Sequence, residues 1–184
     1  MATTIVLKHS DTAGFKPSAS ELVSGELAIN TVDATLYAKT PAGAVVPLNI
    51  SQTSGTFSPV FIGATTNPVL TYAAATGGQW CRIGSLIFVT GRLVVTTVTT
   101  AGSGALRVSL AGLPLSRAGS RNSGVVGISA SFASSTPASV FLSGGTSFLQ
   151  LMTPFAEGLP LARVQCTSLQ ANSDLAFSII YEVA

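Results

Sequence analysis

The sequence predicts an all-β fold in two parts, a small N-terminal β module followed by a β-sandwich or jelly-roll-like C-terminal domain. Helical periodicity is nearly absent over the 184 residues, and apolar residues occur in short runs between clusters of Gly, Ser, Asn and Pro. Several of those runs alternate apolar and polar positions, as half-buried strands do. The length suits one sandwich domain of ~100–150 residues plus a small module.

The first 50 residues predict a four-stranded module. Its strands are expected over 3–8, 26–31, 35–39 and 44–48. Ser18 and Glu21 fit a capping box after Pro17, which predicts one or two helical turns closed by Gly25. The expected core consists of Leu27, Ile29, Leu36 and Val46. So small a sheet needs a second layer or partner chains for stability.

Residues 51–58 are mostly small and polar and predict a linker before the C-terminal domain, 59–184. Strands of that domain are expected over 68–74, 80–84, 86–97, 105–110, 124–132, 138–142, 147–152, 162–169 and 175–183. The strand that begins at Leu86 carries apolar residues on both faces at its start, with Ile87 and Val89 on one face and Leu86 and Phe88 on the other. We therefore expect it to lie between its own core and a subunit interface.

The composition indicates an oligomer. Only 9% of the residues are charged, against roughly 25% in an ordinary soluble domain, while 47% are hydrophobic. A surface with so little charge is expected to be covered largely by sister subunits. The net charge of +2 is too small to favour nucleic acid or a membrane surface.

Targeting signals and cysteine chemistry are not expected. The N-terminus lacks a signal-peptide pattern, and no apolar run reaches the ~18–20 residues that span a bilayer, so we expect synthesis in the cytoplasm without membrane insertion. Cys81 and Cys166 lie in strand-like apolar surroundings without metal-like spacing. They are expected to be buried and reduced.

The first 50 residues also carry a specific pattern. The opening Leu7-Lys8-His9-Ser10, the stretch GELAINTVDATLYAK from Gly25 to Lys39 and the following Gly43-Ala44-Val45-Val46 resemble the N-terminal module of tailed-bacteriophage tail-fibre and related virion proteins. The resemblance implies attachment to the tail or head machinery and assembly as an intertwined homotrimer. The residues that it assigns to attachment and assembly are Leu7, Lys8, Gly25, Glu26, Leu27, Ile29, Asn30, Asp33, Leu36 and Tyr37.

A second, weaker resemblance begins at Gly78. The segment from Gly78 to Leu93 is similar to the "G.Y.RIG..V.V.G.L" hairpin of C-terminal phage-fibre domains, and Val108 to Pro114 is similar to the "VS..GLP" step that follows it. Trp80 replaces the more usual Tyr, and Leu115 stands where an aromatic is common. These departures bear on ligand specificity rather than on fold.

Sugar sites combine an aromatic platform with planar polar groups, and the C-terminal domain offers both. The candidate receptor contacts are Tyr72, Trp80, Arg82, Arg117, Arg121 and Asn122. Each also has an ordinary structural explanation, since a single Trp is usually packed in a core and a polar loop is usually only solvated.

Catalysis is not expected. His9 is the only histidine and lies far in sequence from other polar candidates. Glycan hydrolysis needs two carboxyl groups at ~5–10 Å, but four of the seven acidic residues lie in the N-terminal module. No phosphate loop or metal-ligand cluster occurs, so the sequence predicts no enzyme, no cofactor and no metal.

Two functional hypotheses follow. The first is a virion structural protein, a tail or head fibre that attaches through 1–50 and contacts the host surface through 59–184, with surface polysaccharide as the candidate receptor. The alternative is a structural adaptor or a capsid or tail decoration protein that binds only other virion proteins. Both hypotheses place the protein in the virion as a homo-oligomer.

Overall fold

A computed structural model describes residues 7–48, 52–154 and 162–183. The chain forms two compact units, Met1–Ser51 and Gln52–Ala184. Both are built of β-strands, which confirms the predicted all-β fold. In the described ranges the one helical element is a short 3-10 turn, η1, at Cys166–Ser168. None of the described helices could cross a membrane.

The first unit is a four-stranded sheet. Its strands are β1 (Lys8–Ser10), β2 (Leu27–Asn30), β3 (Thr35–Lys39) and β4 (Val45–Pro47). They lie in sequence order, with β1 parallel to β2 and the other pairs antiparallel. The strand predicted over 3–8 is described only from residue 7, because 1–6 lie outside the described residues.

The helix predicted after Pro17 is wrong, although its capping interaction forms. The Ser18 N–H donates to Glu21 Oε2 at 2.6 Å, and the Glu21 N–H donates back to the Ser18 carbonyl at 3.2 Å. These bonds close a turn instead of starting a helix. The few residues before Gly25 include no apolar repeat that could sustain helical turns against the sheet.

The core predicted for the first unit is also wrong. Its described buried cluster consists of Leu22, Ala28 and Val45, with Tyr37 packed against it. The expected residues point to the opposite side of the sheet and are only partly buried. Both faces of these strands carry apolar residues, so alternation alone could not show which face the loop before Gly25 covers.

The second unit contains ten strands. They are β5 (Gln52–Phe57), β6 (Phe61–Gly63), β7 (Val69–Tyr72), β8 (Gly77–Ile83), β9 (Leu86–Thr100), β10 (Leu106–Ser109), β11 (Arg121–Ala130), β12 (Ser139–Ser143), β13 (Phe148–Met152) and β14 (Asp174–Glu182). Nine follow the order β5-β8-β9-β14-β11-β12-β13-β10-β6, and β7 pairs with β9. Every described pairing in this unit is antiparallel.

This sheet curls so that its two halves share one core. In β9 and β14 alternate residues are buried, as the alternation of the sequence predicts. Their inward side chains belong to the same buried cluster as those of β10, β12 and β13. The hydroxyl of buried Tyr181 donates to the Pro114 carbonyl at 3.0 Å, so this deep polar group is paired.

Two predicted segments differ from the structure. The linker expected over 51–58 is wrong for Gln52–Phe57, which form strand β5 and pair with β8 along their whole length. A polar edge strand resembles a linker in sequence, because its outward residues need not be apolar. The strand expected over 162–169 is wrong as well. Val164 and Cys166 alternate as in a strand, but the chain turns at Ser168, whose hydroxyl bonds those of Ser134 and Ser135.

A row of four residues crosses β5, β8, β9 and β14. Phe57 is opposite Gly78, Gly78 is opposite Gly91, and Gly91 is opposite Phe177. A Cβ on Gly91 would lie 2.6 Å from Phe177 Cζ, and one on Gly78 would lie 2.1 Å from Phe57 Cε1. The two aromatic rings therefore occupy the space above the two glycines.

Candidate functional site

Charged residues of the N-terminal motif hold the first unit together. Lys8 Nζ forms an ion pair with Glu26 Oε1 at 2.8 Å and donates to the Glu21 carbonyl at 2.6 Å. The other Glu26 oxygen accepts the Val23 N–H at 2.8 Å. Lys39 Nζ reaches over the same loop to the Ala19 and Leu22 carbonyls. These lysines and Glu26 fasten the loop before Gly25 to the sheet.

Asn30 is the polar centre of the motif. It is only 1% exposed. Its Nδ2 donates to the carbonyls of Thr12 and Phe15 at 2.8 and 3.1 Å. Its Oδ1 accepts the N–H groups of Val32 and Asp33 at 3.0 and 3.1 Å. One side chain thereby joins the loop after β1 to the turn between β2 and β3.

Asp33 and Gly25 complete the same framework. The Asp33 carboxylate accepts the Gly14 N–H at 2.7 Å, a second bond between the turn and the loop. Gly25 has φ +83°, which favours glycine, and its N–H donates to the Lys39 carbonyl at 2.8 Å. Tyr37 packs on the small core. The polar part of the predicted attachment set thus has a structural role within the unit.

The apolar part of that set gathers on the other side of the sheet. Leu27 is opposite Ala38, Ile29 is opposite Leu36, and Ala38 is opposite Val46, so these five residues form one surface, here called the first-unit face. All five are partly exposed, and Leu7 lies at 37% exposure before β1. His9 is opposite Ile29 on this side. The first-unit face itself carries no charged residue.

The covered side of the sheet contains a cavity of about 350 Å³. Its walls include Phe15, Pro17 and Leu22 from the loop, with Ala28 and Asn30 from β2. Among the described residues no group of three or more His, Cys, Asp or Glu side chains could hold a metal ion.

The ion pair at Glu26 leads to a pH prediction. The Lys8 hydrogen bond and then the Val23 N–H lower the pKa of Glu26. A carboxylate with a lowered folded pKa stabilises the fold above its unfolded value, about 4.3, and loses that contribution as the pH falls through the folded value. We expect Glu26→Gln to weaken the first unit at pH 7 and the difference from the parent to shrink in strong acid.

Hydrogen exchange of the β2 and β3 amides at pH 7 and at acid pH measures this difference. Lys16→Gln is the matched control, since it removes a charge of the same unit that has no ion pair in the described residues. A Glu26→Gln difference that stayed constant down to the lowest pH would contradict the assigned role of the carboxylate.

In the second unit, the aromatic receptor candidates have structural roles. The Tyr72 hydroxyl accepts the Phe61 N–H at 2.8 Å, and the two rings stack with centroids 6.4 Å apart. Burial raises the pKa of Tyr72. Trp80 is opposite Gly55 and packs against the main core, with its indole 3.0 Å from the position of a Cβ on that glycine. Both side chains are only partly exposed, and each makes contacts within the unit.

The polar candidates collect at one end of the curled sheet. Arg117 forms an ion pair with Glu182 at 3.1 Å, and its N–H donates to the Glu182 carbonyl. Glu182 is opposite Leu86, at the β8–β9 hairpin where Arg82 Nε donates to the Gly84 carbonyl. Arg121 begins β11 opposite Ser143. Arg82, Arg117 and Arg121 therefore lie at the same end of the sheet, here called the arginine end.

Asn122 lies at the same end but points to its own loop, since its Nδ2 donates to Ser120 Oγ at 3.1 Å. Tyr72 is far from it, because β7 pairs with the opposite part of β9, at Val95. The structure thus groups the three arginines and Asn122 and separates them from Tyr72.

One surface was only partly predicted. The outward residues Leu86 and Phe88 were expected at an interface, and they are 44% and 39% exposed. Ile180 and Val125, which extend the same apolar surface, were not singled out. Ile180 could have been identified from the sequence, because it is an apolar residue on the outward side of the strand between the polar residues Ser178 and Glu182.

Comparisons with known proteins agree with the motif. The chain is 37% identical over 101 residues to Long tail fiber protein Gp37 of Enterobacteria phage T2, covering 55% of this chain and 7% of that protein. It is 47% identical over 47 residues to Long tail fiber protein Gp37 of Enterobacteria phage K3, covering 26% and 4%. The chain therefore spans only 7% and 4% of the lengths of these two curated relatives.

No family model matches the chain, and no solved structure matches it. The resemblance expected from the N-terminal motif is nevertheless confirmed, because this chain is similar over part of its length to long tail fibre proteins of enterobacteria phages.

Proposed function

We propose that this chain is a structural component of a phage tail fibre in the virion, assembled in the host cytoplasm. The proposal is supported by the similarity to two long tail fibre proteins. The structural observation that carries it is the first-unit face, an apolar sheet surface on a unit whose described core is only Leu22, Ala28 and Val45. So small a core needs additional apolar burial, which partner chains would supply.

The first unit would serve assembly and attachment to other virion proteins. Its polar motif residues are engaged in internal bonds, so they would set the shape of the sheet and not contact the partner. The first-unit face would make the contact, because uncharged apolar surfaces are typical of permanent interfaces. Sister copies, three in a fibre homotrimer, and neighbouring virion proteins are the partners proposed.

The second unit would contact the host surface through the arginine end. Guanidinium groups bind carboxylates and phosphates through two parallel hydrogen bonds, and such groups are common on surface polysaccharides. Arg117 and Arg121 are exposed, and the Arg121 guanidinium makes no ion pair with any residue that the structure describes. Several copies in one fibre would multiply weak contacts.

We propose no catalysis at either unit. Apart from Glu157, which lies outside the described residues, each acidic side chain is engaged. Their bonds are Asp11 with Thr31, Glu21 with Ser18, Glu26 with Lys8, Asp33 with Gly14, Asp174 with Arg92, and Glu182 with Arg117. Glycan hydrolysis needs two carboxyl groups at ~5–10 Å around one bond, and we propose that these six carboxylates stabilise the fold instead.

The test is binding of fluorescently labelled full-length protein to intact host cells. Arg117→Ala combined with Arg121→Ala should weaken binding by about tenfold or more, because each lost charge-assisted hydrogen bond contributes about 1.5–3 kcal/mol. Arg163→Ala is the matched control, since Arg163 is exposed and bridges to Met152, at the other end of β12 and β13 from Arg121.

Three outcomes separate the hypotheses. Saturable binding that only the double variant loses supports host contact at the arginine end. Equal loss with the Arg163 control indicates a general charge effect and contradicts that site. No binding by a well-folded parent protein favours the adaptor or decoration role, in which only virion proteins are bound.

A further inference from the structure

The outer side of the curled sheet carries a contiguous apolar ridge. Ile83 is opposite Leu86, Phe88 is opposite Ile180, and Val125 is opposite Ser178, two residues from Ile180. Their exposures run from 38% for Ile83 to 66% for Val125. Single exposed apolar residues are normal on protein surfaces, but a connected patch marks an interaction site. The ridge is defined by these five residues, Ile83, Leu86, Phe88, Val125 and Ile180.

A shallow hollow of about 420 Å³ lies beside the ridge on the same side of the sheet. Ser54, Thr56, Gln79 and Cys81 line it, and Phe88 forms the wall that it shares with the ridge. These polar side chains are short or uncharged. The surface therefore offers a protruding apolar element next to a depression that could receive one.

Charge is absent from the ridge and from the hollow, and charged residues lie at their margins. At one margin Arg92 forms an ion pair with Asp174 at 2.7 Å, and at the other margin Arg117 forms one with Glu182 at 3.1 Å. Arg82 and Arg121, which form no ion pair with the described residues, also lie at this second margin, next to Ile83 and on the same strand as Val125. An apolar centre with a polar margin is the arrangement of a protein interface.

The area of the surface formed by the ridge and the hollow is close to that of one side of a protein–protein interface. The surface spans β5, β8, β9, β14 and β11, which are neighbours in the sheet, and runs from Leu86 to Arg92 along β9. Five strands about 4.8 Å apart and seven residues of about 3.3 Å make it roughly 24 by 23 Å, on the order of 550 Å² before side-chain relief is counted. A specific interface buries about 600–1,000 Å² per partner.

We propose that a second copy of this chain covers this surface, with the ridge of one copy in the hollow of the next. A ridge and a hollow side by side on one surface make a heterologous contact, which closes into a ring when the rotation between copies allows it. The inference rests on the proposed fibre role, in which sister copies lie side by side. It assigns the second unit an interface of its own, separate from the first-unit face.

Cys81 reports on this contact because it lies in the hollow. In the full-length assembly its thiol should react with a maleimide slowly, on the order of tenfold more slowly than in a variant with a disrupted ridge, since thiol reactivity requires access. Cys166 has no exposed surface, and burial raises its pKa, so it adds little to the signal. Peptide mass spectrometry separates the two cysteines.

The variants are Phe88→Glu and Ile180→Glu, two exposed outward positions where a charge is tolerated in a single chain but not in an apolar interface. Val69→Glu is the matched control, since Val69 is 56% exposed on β7 outside the surface. We expect fast Cys81 labelling in both ridge variants and slow labelling in the parent and the control. Circular dichroism verifies that each variant is folded.

Particle mass from light scattering separates this proposal from the assembly of the first unit. Fast labelling with unchanged mass would show that the ridge contact is real while the first-unit face still holds the copies. Labelling that is equally fast in the folded parent and in the ridge variants would overturn the ridge contact, whatever the mass. A monomeric parent would overturn both this contact and the proposed oligomer.

Discussion

Replacing Asn30 with leucine should destabilise the first unit by about 2 kcal/mol or more, because it removes four hydrogen bonds of a buried side chain, each of which contributes about 0.5–1.5 kcal/mol. The substitution leaves the Thr12 and Phe15 carbonyls and the Val32 and Asp33 N–H groups without their shared partner. Leucine has the same branched shape and a larger volume, so a cavity is not the cause. With a core of a few side chains, the unit has little stability to lose.

Hydrogen exchange measured by mass spectrometry suits this test, because it follows β2 and β3 separately from the second unit. Amides of these strands should lose protection, while those of β9 and β14 should not change. Asn30→Asp keeps the acceptor but places a buried carboxylate oxygen against the Thr12 and Phe15 carbonyls, so its effect should be at least as large. Val32→Thr, at an exposed position of the same turn whose side chain makes no hydrogen bond, is the control and should stay within about 0.5 kcal/mol. Full protection in Asn30→Leu would show that the four bonds are dispensable.

Valine in place of Gly91 should lower the free energy of unfolding of the second unit by about 1–3 kcal/mol, the usual cost of overfilling a packed core. The new Cβ would lie 2.6 Å from Phe177 Cζ and 2.7 Å from Cε1, so the ring must leave its position. Valine otherwise favours a strand more than glycine does, so the sign of the effect depends on Phe177. Urea unfolding followed by Trp80 fluorescence measures it.

A double-mutant cycle identifies the cause. Phe177→Ala alone should cost about 3–5 kcal/mol through the space that it leaves. In that background Gly91→Val should cost much less or even stabilise, a coupling of about 0.5–3 kcal/mol between contacting residues. Thr90→Val, on the outward side of the same strand, should show no such coupling. If the effects of the Gly91 and Phe177 substitutions were additive, the Phe177 ring would not be the group that occupies the space above Gly91.

The sequence predicted best where local pattern and packing agree. In β9 and β14 the inward residues are apolar at every second position, and the chain folds with those positions buried. Alternation predicts which residues are buried because adjacent side chains of a strand point to opposite sides of the sheet. One buried face therefore imposes a period of two on the apolar residues. The same argument placed Leu86 and Phe88 on a second, outward surface, and the structure leaves both exposed.

Prediction failed where the deciding contact is remote in sequence. In the first unit, Leu27 and Ala28 are equally plausible core residues, and only the position of Leu22 over one side of the sheet decides between them. Strand β5 was predicted as a linker because its sequence is polar, although its partner β8 begins twenty residues after β5 ends. The same limit applied to the candidate site of the first unit. Motif spacing identified Asn30, but it could not identify the loop after β1 whose carbonyls accept its hydrogen bonds.

The sequence by itself determined that this chain is all-β, that it is poor in charge and that its N-terminal motif resembles phage-fibre modules, because strand alternation, composition and motif spacing are local properties. Only the tertiary structure decided which side of the first sheet is its core, which arginines share one end and where the ridge lies beside the hollow. Those features depend on strand order and on how the large sheet curls, and both are set by contacts between residues distant in the chain.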